Sequence, residues 1–371
     1  MKLIIAGDLT LQDRAFRRIW NDQELERAFF SVRNLTRDYD YAIVNLESPV
    51  TDCNMPIVKD GPSLKNPAKV FDIMRYCGFG IATLANNHLR DYGDQGVMDT
   101  IHRCKGHSIM PIGAGSCMKT ARKPLALGRP GRGEIGIINV CEHESSIASS
   151  VDAGANPFDL SNLYYDIRGL KEKTDKVIVI IHGGREHYNL PTPKMKREYH
   201  LIADFGADVI VNHHQHCFSG YEIYNGKPIF YGLGNFFFDR PKCRNSMWNQ
   251  GLLLQLELTK DMTDFRLIPY EQCNDEAVVK IRDYDSLKPE IEKLNSIIAN
   301  DDQLEMEFEK MAAAAKPLYP FLPFGNKVIR SLYFRGWLKD MISKRNKALL
   351  ENHVSCETHR EVLLQYLKSN R

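Results

Sequence analysis

Five times along this chain a short apolar run stops at residues able to hold a metal ion. Leu3–Ala6 ends at Gly7-Asp8, Tyr41–Asn45 at Leu46-Glu47, and Gly80–Leu84 at Ala85-Asn86-Asn87-His88. Val177–Ile181 ends at His182-Gly183-Gly184, and Val209–Asn212 at His213-His214-Gln215-His216. Short apolar runs bounded by turn residues predict strands covered on both faces of an α/β sheet. Such sheets place their ligand crevice beyond the carboxyl ends of the strands, so the pattern predicts one polar crevice built from several strand ends.

The rest of the chain fits that frame. Ser108–Ile112, Ile135–Val140 and Ile229–Gly232 read as further strands. Helices are expected from Asn66-Pro67, where Asn would cap and Pro would take the first helical position, from near Asp94, and over Lys194 to Phe205. Gly251–Thr259 and Phe265–Tyr270 alternate as an antiparallel pair. Residues 1–275 are thus expected to form the α/β domain, and 276–371 a helical extension interrupted by the Pro-rich stretch 316–323.

Composition narrows the function. With 371 residues, 43% hydrophobic and 26% charged, the chain has ample material for a core and is not a disordered polymer. A net charge of +2 offers no global field for nucleic acid, so no nucleic-acid partner is expected. The positive charge is concentrated in residues 316–371, with eleven Lys and Arg against four Asp and Glu. Within it, Lys327–Lys339 alternates basic and bulky apolar residues, either as a helix packed on the main domain or as one docking on a membrane surface. Nine scattered cysteines without a C-x-x-C pair, and no apolar run long enough to span a bilayer, fit a reduced, cytoplasmic protein, peripheral at most to the inner membrane face.

The strand-end residues form a mixed oxygen and nitrogen donor set suited to Mn²⁺, Fe²⁺ or Zn²⁺. In His214-Gln215-His216 the two imidazoles leave the backbone on one side, and a carboxylate such as Glu47 can bridge two ions roughly 3.5–4 Å apart. Two such ions polarise a phosphoryl or carbonyl oxygen and activate water near neutral pH. His88 is placed to protonate a leaving group, and Asp91, three residues on, to orient its ring.

In chain order, Gly7-Asp8, Asn45-Leu46-Glu47, Leu84-Ala85-Asn86-Asn87-His88 with Asp91-Tyr92-Gly93, Gly113-Ala114-Gly115, His213-His214-Gln215-His216 and Tyr231-Gly232-Leu233-Gly234-Asn235-Phe236 resemble the bacterial capsule-synthesis protein CapA family. That family, tied also to poly-γ-glutamate synthesis, looks like a branch of the calcineurin-like metallophosphoesterases. The resemblance covers about residues 1–240 and implies a four-layer αββα sandwich holding two divalent metals. It assigns Asp8, Glu47 and His216 to one ion, and Glu47, Asn87, His182 and His214 to the other. His88 matches the proton donor. Lys59 and Lys65 fall in a loop expected to meet an anionic substrate, while Glu186 and Asn235 fall in segments expected to support the site or the substrate.

Three departures matter: Thr10 stands where phosphoesterases have His, Glu47 where they have Asp, and Asn212 where the family has Gly. The last leaves His213 and His214 both open as the ligand, with His-x-His spacing favouring His214. The expected function is a metal-dependent hydrolase acting on a phosphoester or anionic polymer intermediate. The alternatives are a non-catalytic accessory subunit of a membrane-bound polymer synthase and, less well supported, a metal nuclease.

Overall fold

Neighbouring residues of the first strand enter different cores. Leu3 and Ile5 belong to one buried apolar cluster, Ile4 and Ala6 to a second. The same alternation separates Ile43 from Ala42 and Val44, Ile81 from Ala82, and Leu252 and Leu254 from Leu253. A strand's side chains alternate between faces, so a run apolar at every position is a strand covered on both sides. The computed structural model that reveals this describes residues 1–18, 20–59, 61–129 and 133–314, with Val328, Ser331, Leu332, Arg335, Trp337 and Val354 as single residues.

Two sheets result. The first runs in the order Val279–Ile281, Thr263–Gln272, Gln250–Leu258, Lys2–Thr10, Tyr41–Leu46, Ile81–Thr83, Met110–Ile112, with Asn235–Phe238 pairing onto Lys2–Thr10. The second runs Tyr221–Tyr224, Lys227–Phe230, Val209–His213, Lys176–His182, Gly133–Cys141, Leu125–Arg129. One core joins the two sheets, bringing Leu3, Ile5 and Ile43 together with Ile137, Ile178 and Ile180. The other sets the first sheet against helices Asp22–Thr36, Val70–Tyr76 and Gly93–Gly106 through Phe29, Val32, Phe71, Met74 and Val97. Helices Leu160–Lys171 and Pro193–Phe205 cover the second sheet with Leu163, Ile167, Tyr199 and Ile202. This is the expected four-layer αββα sandwich.

The first compact unit runs from Met1 to Met306, and helix Lys288–Ile298 buries Ile291, Leu294, Ile297 and Ile298 in the apolar cluster that holds the second sheet. The basic tail over 316–371, including the amphipathic stretch Lys327–Lys339, lies outside the described residues apart from the single positions named. The helix expected from Asn66-Pro67 begins instead at Val70, because the Asn66 carboxamide is engaged elsewhere.

The parallel strands Lys2–Thr10, Tyr41–Leu46 and Ile81–Thr83 of one sheet, and Lys176–His182 with Val209–His213 of the other, bring their carboxyl ends to one edge. At Gly7 the pairing with Tyr41–Leu46 slips between Ala6 and Asp8. A bulge of this kind re-aims the next side chain, here Asp8. The chains approach so closely there that a Cβ on Gly7 would lie 1.8 Å from the Gly234 carbonyl oxygen. Gly7→Ala is therefore expected to cost about 3 kcal/mol in unfolding free energy. A urea titration against wild type measures this, and an unchanged midpoint would contradict the close approach.

Candidate metal centre

Asp8, Glu47 and His216 converge with one ligand atom apiece within 4.8 Å of one another, all three buried. His216 Nδ1 lies 3.4 Å from Asp8 Oδ2 and its Nε2 3.8 Å from Glu47 Oε1. Both oxygens of Glu47 and Oδ2 of Asp8 are buried without a hydrogen-bond partner among the described residues. Carboxylates in that state are costly unless a cation lies among them. The donor set therefore fits a divalent ion.

A second group adjoins the first. His182 Nε2 sits 3.1 Å from Asn87 Oδ1 and 3.1 Å from His214 Nδ1, and His182 Nδ1 lies 3.8 Å from Asp8 Oδ1. All six residues assigned as ligands by resemblance thus meet at one strand-end edge. Supporting amides hold them. Asn45 Nδ2 donates to Asp8 Oδ1 at 2.7 Å and lies 3.2 Å from His182 Nδ1, while Asn235 Oδ1 lies 2.9 Å from His216 Nδ1. Local backbone is strained to achieve this: His214 and His216 adopt φ of 91° and 56°, and Ser48, next to Glu47, 76°. Strained non-glycine residues of this kind persist only where surrounding contacts over-determine them.

His88 and Asp91 form the expected pair, with His88 Nδ1 2.7 Å from Asp91 Oδ2. Since Nδ1 is engaged, Nε2 is the nitrogen left to move a proton. Lys59 adjoins this pair. Its ammonium pairs with Asp91 Oδ1 and lies 3.2 Å from His88 Nδ1, with only 6% of the side chain exposed. A cation already neutralised by a buried carboxylate is a weak receptor for an anionic substrate. Lys65 is engaged too, donating to the Cys53 carbonyl and Asn54 Oδ1, each at 2.8 Å. Glu186 stands exposed at the rim. Desolvation opposes its ionisation, but His216, His214, His187 and His88 together hold it below the ordinary carboxylate value.

Sequence reasoning left one neighbour, His213, open and passed over another, Glu144. His213 is buried, neither ring nitrogen is hydrogen-bonded among the described residues, and its Nδ1 lies 4.0 Å from Asp8 Oδ1. His214, rather than His213, meets His182. Glu144 places Oε1 3.9 Å from His214 Nε2. Its only sequence signal is position, three residues beyond the end of the Gly133–Cys141 strand and so at the same edge. The Thr10 hydroxyl lies 3.1 Å from Ser48 Oγ and 3.3 Å from Asn66 Oδ1.

An α/β sandwich of two packed sheets here gathers carboxylates, a carboxamide and imidazoles at one strand-end edge, a donor set that fits a divalent metal ion. A family model described as bacterial capsule synthesis protein PGA_cap matches residues 2–240, and the chain belongs to that family. It is 29% identical over 269 residues to the PGA biosynthesis protein CapA of Bacillus subtilis (strain 168), covering 71% of this chain and 70% of that protein. It is 28% identical over 251 residues to the capsule biosynthesis protein CapA of Bacillus anthracis, covering 65% and 60%, so it spans less than two thirds of that relative. A probable polyglutamine synthesis accessory protein of Mycobacterium tuberculosis is 29% identical over 169 residues, 42% of this chain and 44% of that one. Among solved structures, a hypothetical protein from Thermus thermophilus is similar at TM-score 0.47 and 12% identity, over 73% of this chain and 99% of that one. A 5'-nucleotidase from Candida albicans is similar at TM-score 0.45 and 10% identity, over 74% and 52%.

Charge in the centre is coupled. Burial pushes the Glu47 carboxyl up to about 8 from an ordinary 4.5. Burial opposes protonation of His216, but the Glu47 and Asp8 carboxylates outweigh it and raise the imidazole from 6.5 to about 9. Burial lowers His214 to about 4 and keeps His182 and His213 neutral, the state a metal ligand requires. Desolvation opposes ionisation of Asp8, but its hydrogen-bonding and charge interaction with His216 holds the carboxyl well below the usual carboxylate range.

The sign of the pH dependence follows. From 4.5 to about 8 at Glu47, and from 6.5 to about 9 at His216, the folded metal-free chain keeps protons that the unfolded chain has lost. Its stability therefore falls as pH rises through that window. A metal ion displaces those protons, so added Mn²⁺ is expected to raise the melting temperature more at about pH 8 than at about pH 6. Calorimetry in two buffers of different ionisation enthalpy is expected to show proton release on binding. An equal melting shift at both pH values would contradict the assignment.

Proposed function

We propose that this chain is a divalent-metal-dependent hydrolase acting on a phosphoester or anionic intermediate in the synthesis of a capsule-type polymer. The observation that carries this reading is the set of three buried carboxylate oxygens, Asp8 Oδ2 and both of Glu47, that have no hydrogen-bond partner among the described residues and lie beside His216 and next to the His88–Asp91 pair. Family membership and the relatives' names support the polymer context. Asp8, Glu47 and His216 would hold one ion, and Glu47, Asn87, His182 and His214 a second. Bound ions supply Lewis-acid polarisation of a phosphoryl or carbonyl oxygen and lower the pKa of water.

The chain's own residues do the rest. Protonated at both nitrogens, His88 delivers its Nε2 proton to the departing oxygen, while Asp91 accepts from Nδ1–H and fixes the ring. Lys59 pairs with Asp91 Oδ1, the oxygen not engaged by His88 Nδ1, and so fixes the carboxylate that holds the ring. Asn235 fixes the ring of His216, and Asn45 fixes Asp8. Glu186 stands where it meets the polar part of a substrate entering beside His216.

A second reading, an accessory subunit that keeps the metal for structure, is favoured by one observation. Thr10 stands at the position of a phosphoesterase ligand, and its hydroxyl is engaged with Ser48 and Asn66. Reduced surroundings are supported by the eight unpaired cysteines among the described residues. No described helix is long and apolar enough to cross a membrane.

His88→Ala separates the readings. Hydrolysis of a model phosphodiester by the Mn²⁺-loaded protein is expected to fall by about 10²–10⁴-fold with metal content retained. Glu47→Ala is expected to lose metal as well as activity. Metal uptake by wild type with no turnover of any phosphoester or polymer substrate would favour the accessory reading.

A further inference from the structure

Among the described residues, the hydrogen bonds that fix Glu47 are all to its main chain. Asp8 is gripped by Asn45, and the His216 ring by Asn235, but neither carboxylate oxygen of Glu47 has a hydrogen-bond partner among the described residues. The direction of this carboxylate therefore depends on the backbone that carries it. The Glu47 N–H donates to the Leu9 carbonyl at 3.0 Å, and the Glu47 carbonyl accepts from Asn66 Nδ2 at 2.8 Å.

Asn66 reaches further. Its Nδ2 also lies 3.3 Å from the Ser48 carbonyl and 3.0 Å from Ser48 Oγ, while its Oδ1 accepts from the Leu11 N–H at 2.7 Å and from the Thr10 hydroxyl at 3.3 Å. One side chain, 2% exposed, thus ties together the carboxyl ends of the strands that carry Asp8 and Glu47. Between them Ser48 sits at φ 76°, a left-handed conformation that a serine holds only under restraint. The same loop reaches the proton donor, since the Leu64 N–H donates to Asp91 Oδ2 at 2.7 Å.

We propose that Asn66 is the positioning residue of Glu47, its amide holding the Glu47–Ser48 backbone in the strained form that turns the carboxylate toward Asp8 and His216. This rests on the metal-centre reading above. The hydrogen of Nδ2 is the essential part, because a carbonyl at Glu47 or Ser48 can be held only by a donor. Asn66 takes no part in binding the ion and touches no reacting atom; it acts through Glu47.

The test is Mn²⁺ binding to the full chain, by calorimetry and by metal content, in wild type, Asn66→Ala, Asn66→Asp, Glu47→Ala and Asn295→Ala. Asn66→Asp keeps the acceptor for Leu11 and removes the donor to Glu47. Both Asn66 variants are expected to lose about 10–100-fold in affinity at the Glu47-dependent site, the usual effect of removing a partner that orients a ligand. Asn295, whose Oδ1 accepts from the Tyr221 N–H at 2.7 Å, is the stability control. Its variant is expected to melt earlier with unchanged Mn²⁺ affinity, so a merely structural role for Asn66 would reproduce that behaviour and overturn the proposal. Glu47-dependent binding in wild type with unchanged affinity in Asn66→Asp also overturns it and leaves the metal centre standing. Absence of Glu47-dependent Mn²⁺ binding in wild type overturns both. If Asn66→Ala does not fold, Asn66→Asp, differing by one amide group, still decides.

Discussion

Asp8 and Glu47 are buried together where the two sheets bring their strand ends to one edge, and three of their four carboxylate oxygens have no hydrogen-bond partner among the described residues. Buried like charges repel and are poorly solvated, so the pair is tolerable only with protons or a cation among them. Much of the surrounding chemistry answers that constraint. His216 lies against both acids, Asn45 and Asn235 fix the groups on either side, and neutral His182 and His214 stand ready as nitrogen donors. The left-handed backbone at Ser48, His214 and His216 shows that the fold gives up local comfort to place these side chains.

The departures from the family pattern acquire a physical meaning in this setting. Thr10, in place of an imidazole, turns its hydroxyl to Ser48 and Asn66 and so joins the restraint on the Glu47 backbone. The loop that resemblance assigns to substrate contact is bonded on its inner side to Asp91, through Lys59 and Leu64, and to the Glu47 backbone, through Asn66.

Much of the sandwich was legible because runs such as Leu3–Ala6 and Val177–Ile181 are apolar at every position, which only strands covered on both faces require. The alternation inside Gln250–Leu258 and Thr263–Gln272 likewise announced an antiparallel pair. Strands such as Leu125–Arg129 and Val279–Ile281 were not legible, since short or polar edge segments owe their conformation to the neighbour they pair with. The Asn66-Pro67 pair misled for a related reason. A carboxamide that would cap a helix in isolation finds stronger use between two strand ends far away in sequence.

The sequence by itself determined the two-sided strands, their order as α/β units and the identity of the donors that follow them, because periodicity and strand-end position are local properties of the chain. Only the tertiary structure decided which donors meet. Gly7 had to yield to the Gly234 carbonyl for Asp8 to turn inward, His214 rather than His213 had to face His182, and Glu144 had to arrive from a different strand end. Those outcomes depend on contacts between residues separated by tens to hundreds of positions, where packing distance and the energetic cost of unpaired buried charge select the arrangement.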